Sequence, residues 1–152
     1  MVKFRAETTI ARSAEDIFAY AADVARHPEW MGVTDAKLIS GHQTEVGARA
    51  AETLKFGPRT IPFTFEVVEV EPNRRIVWRT VDGGALNAEG GLQLVPEGPT
   101  STRATYFGSM GLRGVWRLLE PLMAAEIRAG ESAELERLKA KMESGADSHA
   151  GG

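Results

Sequence analysis

The 152-residue chain has no cysteine, which excludes disulfide frameworks, thiolate metal sites and cysteine nucleophiles together and fits a reducing cytoplasm. No apolar run approaches the ~20 residues of a membrane span. The opening MVKFRAETTI carries no signal-peptide core, so a soluble, cytoplasmic protein is expected. Basic excess is missing too: 18 Lys and Arg are interspersed among 21 Asp and Glu, for a net charge of -3. That is not the electrostatic footprint of a nucleic-acid binder. No nucleophile elbow or zincin motif occurs. The glycine-rich GSMGLRG (Gly108 to Gly114) lacks the Lys-Ser/Thr of a phosphate loop and reads as a flexible entry to the last helix.

What is present is enough for one core, with 43% hydrophobic residues. A single domain over 1–145 is expected, followed by a disordered tail over 146–152. The longest pattern runs from Gly111 to Gly145. Val115, Leu119, Met123 and Ile127, then Leu135, Leu138 and Met142, recur at spacings of three and four, the signature of an amphipathic helix. Pro121 should kink this helix or begin its main run. Glu134 with Arg137 and Glu136 with Lys139 read as exposed ion pairs.

Upstream, Val2 to Ile10 alternates with period two and predicts a first strand. Ser13 followed by Asp16 resembles a capping box that opens a short helix, and Asp23 caps a second one that should stop near Pro28. Six further strands follow: about Thr34 to Ser40, Ala48 to Phe56, Ile61 to Glu71, Arg75 to Val81, Ala85 to Val95 and Ser101 to Ser109. Gly57-Pro58-Arg59, Pro72-Asn73 and Asp82-Gly83-Gly84 supply turns. The order predicts an α+β fold in which an antiparallel meander, with the first strand added at its edge, curves around the long helix. One helix cannot fill the concave face of seven strands, so a cavity is expected between the sheet, the short helices and the long helix.

Parity turns Phe63, Phe65 and Val67 inward, with Ile76 and Trp78, Leu92 and Leu94, and Ala104 and Tyr106. Trp78 and Tyr106 each carry a polar atom that needs a partner when buried. Glu52 shares the parity of Ala48, Ala50 and Leu54, so it faces inward beside small residues unless a bulge turns it out. Glu131 lies four residues from both Ile127 and Leu135, on the apolar stripe unless Pro121 and Gly130 rotate it into solvent. A carboxyl held there must find a partner, take up a proton or face a wet cavity. Glu131, Glu52 and Tyr106 are the catalytic candidates. The candidate ligand contacts are Trp30, Glu52, Phe65, Trp78, Leu92, Tyr106, Met123 and Ile127.

SAEDIFAYAADVARHPEWM resembles the first helical pair of the START-like (SRPBCC) superfamily, the group of the birch-pollen allergen and the polyketide cyclase/dehydrase-like proteins. FEVVEVEPNRRIVWRT is similar to its central hairpin, and EPLMAAEIRAGESAELERLKAKME to its closing helix. The resemblance spans nearly the whole chain and implies a helix-grip fold, a curved seven-stranded antiparallel sheet around a long C-terminal helix with two short helices after strand one. It puts His27 and Trp30 at the cavity mouth, as an aromatic gate with a titratable partner or as a core plug beside a solvated histidine. It implies binding or transport of a hydrophobic, lipid-like or polyketide/aromatic small molecule, with a cyclase/dehydratase using the same cavity as the alternative. Hydroxylase members carry an iron site of two His and a carboxylate. Here the histidines are His27, His42 and His149, in a helix end, a loop and the tail, and neither metal nor cofactor is expected. Homodimerisation is left open.

Overall fold

A computed structural model describes residues 1–81 and 84–150, apart from the side chains of Phe56, Trp116 and 146–150. The chain order is β1 (Val2–Ile10), α1 (Ala14–Ala22), a 3-10 turn (Val24–Arg26), α2 (His27–Trp30), β2 (Val33–Ser40), β3 (Arg49–Phe56), β4 (Arg59–Glu71), β5 (Arg75–Val81), β6 (Leu86–Gly98), β7 (Ser101–Leu112), a 3-10 segment (Gly114–Leu119) and α3 (Glu120–Ala150). The strands form one antiparallel sheet in the order β1-β7-β6-β5-β4-β3-β2. β2 to β7 are a meander, and β1 closes onto β7 as its pattern predicts. The expected turn at Asp82-Gly83 and the end of the tail, 151–152, lie outside the described residues.

Local chemistry explains the helical pair. Ser13 accepts the Asp16 N–H at 3.1 Å, the capping half of the expected box, while the Asp16 carboxylate takes the Arg12 guanidinium at 2.8 Å. Asp23 caps the 3-10 turn through the Ala25 N–H at 3.1 Å. Pro28 does not end that segment. It falls in the first turn of α2, where its missing donor costs nothing.

Two bulges decide which side chains face the core. β4 and β5 shift register between Val67 and Glu69, so the inward series Phe65, Val67 resumes at Val70. β2 shifts twice, around Asp35 and around Ser40. β3 pairs with β4 without a break from Arg49 to Phe56, so the parity read from the sequence holds there and Glu52 points inward with Ala50.

Three expectations for the C-terminal third are corrected. Strand β7 runs on through Met110 to Leu112, so most of GSMGLRG is ladder, and the chain turns only at Arg113 and Gly114, whose φ is 65°. The main helix begins at Glu120 with Pro121 in its first turn, one of the two outcomes expected for that proline, but it passes Gly145 to reach Ala150. Before it the chain is a 3-10 segment with three residues per turn, which breaks the 3.6-residue stripe and leaves Val115 76% exposed. The expected ion pairs also differ. Arg137 Nε donates to the Trp30 carbonyl at 3.0 Å, and Lys139 pairs with Glu143 at 3.4 Å.

Ile10, Ile17, Phe18, Ile76, Leu92, Leu94, Leu135 and Leu138 form the core between α1, the sheet and the second half of α3. Leu138 has no exposed surface. Leu138→Ala is expected to destabilise the domain by about 2–5 kcal/mol in urea unfolding, the range for buried leucines. A cost well below about 1 kcal/mol would mean that α3 does not anchor here.

Candidate functional site

Two adjoining cavities lie between the first half of α3 and the sheet. The inner one, about 100 Å³, lies over β3 to β7 and is walled by Phe4, Phe63, Phe65, Trp78 and Tyr106, with Leu86 and Met110. The outer one, about 880 Å³, opens between the β3–β4 turn and α3, along Leu119, Met123 and Ile127. Leu54, Leu86, Met110, Glu131 and Glu134 line both, so these residues mark the passage from mouth to interior. The inner wall follows from backbone shape. Gly90 and Gly108 face each other across β6 and β7, and the Phe4 ring lies over the two Cα positions where side chains would have been.

Two polar groups face this apolar space. On one side, His27 is completely buried and Glu52 is 3% exposed. His27 Nδ1 meets Glu52 Oε2 at 2.5 Å, and Nε2 meets the Ala21 carbonyl at 3.0 Å. A carbonyl only accepts, so Nε2 carries a proton, and another lies between Nδ1 and Glu52. His27 is therefore not solvated: its ring packs edge-on against Trp30 and Trp78 and tilts over Phe65.

On the other side, Glu131 and Glu134 project from one face of α3, each 6% exposed. Glu134 accepts the Tyr106 hydroxyl at 3.1 Å and the Gly32 N–H at 3.3 Å. Glu131 is buried beside Tyr106 and Glu134, close enough for their charges and dipoles to act on it. Burial, reinforced by the Glu134 charge, pushes the Glu131 carboxyl up to about 9. Burial also raises Glu134, but the Gly32 N–H, the Tyr106 hydroxyl and the Arg137 charge oppose it, leaving it at about 7. Burial first, then the two carboxyls, hold the Tyr106 hydroxyl well above its ordinary value, so it stays a donor. Near neutrality, Glu131 is the protonated member and Glu134 titrates.

Most of the sequence-based candidates line these two cavities. Glu52, Phe65, Trp78 and Tyr106 line the inner cavity, Met123 and Ile127 the outer one, and Glu131 both. Trp30 and Leu92 are not among the lining residues. Trp30 is fully buried edge-on between His27 and Tyr106, and Leu92 is packed in the core. Two roles escaped the residue patterns. His27, which the resemblance puts at the cavity mouth, gives no periodic signal at its short-helix position, so its pairing with Glu52 could not be read from the sequence. Glu134 did give one, since it lies seven residues after Ile127 and four before Leu138, but its spacing to Arg137 imitates a surface pair.

A curved antiparallel sheet gripping a long helix over internal cavities is a helix-grip fold. The pattern of the family described as polyketide cyclase/dehydrase and lipid transport matches residues 1–143, and the chain belongs to that family. Similar solved structures include a START superfamily protein from Mycobacterium smegmatis, with a TM-score of 0.81 and 16% identity over 95% of this chain and 99% of the other. Another is the protein TTHA0849 from Thermus thermophilus, with 0.79 and 18% over 95% and 99%. The Zhui aromatase/cyclase from a Streptomyces species follows, with 0.79 and 12% over 94% of each chain. No curated protein matches by sequence. Among the described residues, no helix is long and apolar enough to cross a membrane.

The carboxyl pair makes stability depend on pH with a defined sign. A carboxyl whose folded-state value lies above its unfolded value of 4.5 stabilises the fold at low pH, and the contribution is lost as pH rises toward the folded value. Glu131→Gln should therefore gain stability relative to the parent between acid conditions and about pH 9, measured by urea unfolding across that window. An identical difference between variant and parent throughout would show Glu131 to be charged in the folded protein.

Proposed function

We propose that the protein binds or carries a hydrophobic, ring-bearing small molecule, which enters past Leu119 and Met123 and rests with its leading ring among Phe65, Trp78 and Tyr106. The observation that carries this reading is the pair of adjoining cavities between α3 and the sheet, with largely apolar walls and the His27–Glu52 and Glu131–Glu134 groups buried against the inner one. Transferring apolar ligand surface out of water contributes about 25 cal/mol per Å², so aromatic and aliphatic walls of this kind suit a lipid-like or polycyclic ligand. Family membership supports the same class.

A second reading, an enzyme of the cyclase/dehydratase kind, is favoured by one specific observation. Such chemistry needs an acid and a base inside the cavity, and Glu131 and Glu134 are two carboxyls there whose surroundings hold them at different protonation. Carriage needs only the walls.

Native mass spectrometry of the purified protein should reveal a co-purifying hydrophobic molecule. Titration with the apolar probe 1-N-phenylnaphthylamine should quench tryptophan fluorescence, and Trp78→Phe should remove most of the quench, because Trp78 lines the inner cavity while Trp30 lies in the core. A quench of full amplitude in the variant would place the ligand elsewhere.

A further inference from the structure

The inner cavity carries more information than its apolarity. On its α3 side stand two carboxyls and a phenol, with Glu134 held by Tyr106 at 3.1 Å and Gly32 N–H at 3.3 Å and Glu131 buried beside them. Its sheet side includes the rings of Phe65 and Trp78, each nearly fully buried. The chamber therefore has a carboxyl side that accepts hydrogen bonds and an aromatic side that packs against a ring.

We propose that the inner chamber is a subsite for an uncharged hydroxyl group borne on a ring, and that the Glu131–Glu134 pair excludes ligands whose leading group is a carboxylate. The inference rests on the reading of the cavity as a hydrophobic-ligand site and names the ligand class within it. A hydroxyl can donate to a carboxyl oxygen of the pair without adding charge, while its ring packs on the aromatic wall. A carboxylate offers acceptors only, and it would bring a second negative charge beside Glu134 in a space from which water is largely excluded. Fatty acids entering head first are rejected on this ground, whereas phenols, enols and alcohols on a ring system are admitted.

The charges around Glu134 support the sign. From α3 it is faced by Glu131 and Arg137, from β7 by Tyr106, and from the segment after α2 by the Gly32 amide. Arg137 is committed in part to the Trp30 carbonyl at 3.0 Å, and it lines the outer cavity only. On the opposite wall, His27 from α2 and Glu52 from β3 satisfy each other at 2.5 Å. At the rim, Arg79 of β5 and Glu89 of β6 pair at 3.0 Å, and both are about half exposed. Among the described residues, the inner chamber thus holds no cation that is not already facing an acid, and an entering anion meets only the carboxyl pair. Protonation of Glu134 relieves the exclusion, because the pair is then neutral.

Three probes with one ring system separate these ideas: 2-methylnaphthalene, 2-naphthylmethanol and 2-naphthoate, titrated calorimetrically into the intact protein. At about pH 8, naphthoate is expected to bind at least about tenfold more weakly than naphthylmethanol, and methylnaphthalene to fall between them. At about pH 6 naphthoate remains ionised while Glu134 takes up its proton, so the gap should narrow. Glu134→Gln should narrow it at about pH 8 as well, while Phe107→Leu, on the other face of β7, should leave it unchanged. Equal binding of naphthoate and naphthylmethanol at the higher pH overturns the subsite and leaves the cavity reading intact. A gap that persists at the lower pH in the parent overturns it too, even if the Gln variant does not fold. Failure of all three probes to bind removes the cavity reading itself, and the subsite with it.

Discussion

The contact between His27 and Glu52 fixes more of this molecule than any other polar interaction. It joins the short helical segment after β1 to the middle of β3, across a region where neither partner has access to water. Removing one member would leave the other as an uncompensated buried polar group, a loss on the order of 3–5 kcal/mol for a charged pair. Because His27 also faces the Ala21 carbonyl through Nε2, its ring cannot rotate without breaking a second bond. The ring then serves as a packing surface for Trp30, Phe65 and Trp78, so the aromatic wall of the inner cavity inherits its geometry from a hydrogen bond behind it.

That arrangement places α2, and α2 in turn positions α3. The Trp30 carbonyl receives Arg137, and the Gly32 amide reaches Glu134. These two contacts hold the middle of α3 against the helical pair while Leu135, Leu138 and Met142 pack into the core. The first half of the helix is tied instead to β7 and β1, where Glu120 accepts the Leu112 N–H and Arg128 donates to the Lys3 carbonyl, while Met123 and Ile127 line the outer cavity. Ties to the strands on one half and core packing on the other leave space for a ligand between, and the carboxyl pair sits where the two meet. Its protonation is a consequence of that position: enough burial to raise both groups, enough donors to keep Glu134 titrating near neutrality.

Much of this was legible in the sequence, for reasons that differ from residue to residue. Strand alternation is a local property with period two, so β1 and β5 match their expected bounds and the inward parity of Phe65, Trp78 and Tyr106 could be read directly. Glu131 and Glu52 were legible by the same arithmetic, each being a charge at a position where the period demands an apolar residue. The errors arise where the period itself changes. The 3-10 segment before α3 has a shorter repeat, so Val115 left the stripe to which its 3.6-residue spacing assigned it. Gly108 to Gly114 resembled a flexible loop because glycine and serine are common in loops, yet glycine there lets Phe4 lie over the sheet. The resemblance put His27 at the cavity mouth, but its partner was not legible, because nothing local distinguishes a histidine facing a carboxyl two elements away from one facing water.

Glu134 shows how a correct local rule selects the wrong outcome. Its spacing to Arg137 satisfies the condition for a surface ion pair, and its spacings to Ile127 and Leu138 satisfy the condition for the buried stripe; both follow from the same helix. What decides between them is whether partners exist for a buried carboxyl. Here they do, and they come from two separate places: the Tyr106 hydroxyl from β7 and the Gly32 amide after α2. Arg137, freed from a surface pairing, instead ties α3 to Trp30. The buried alternative therefore wins because the fold supplies hydrogen bonds that a surface position would have taken from water, and the acid at the cavity is the product of that exchange.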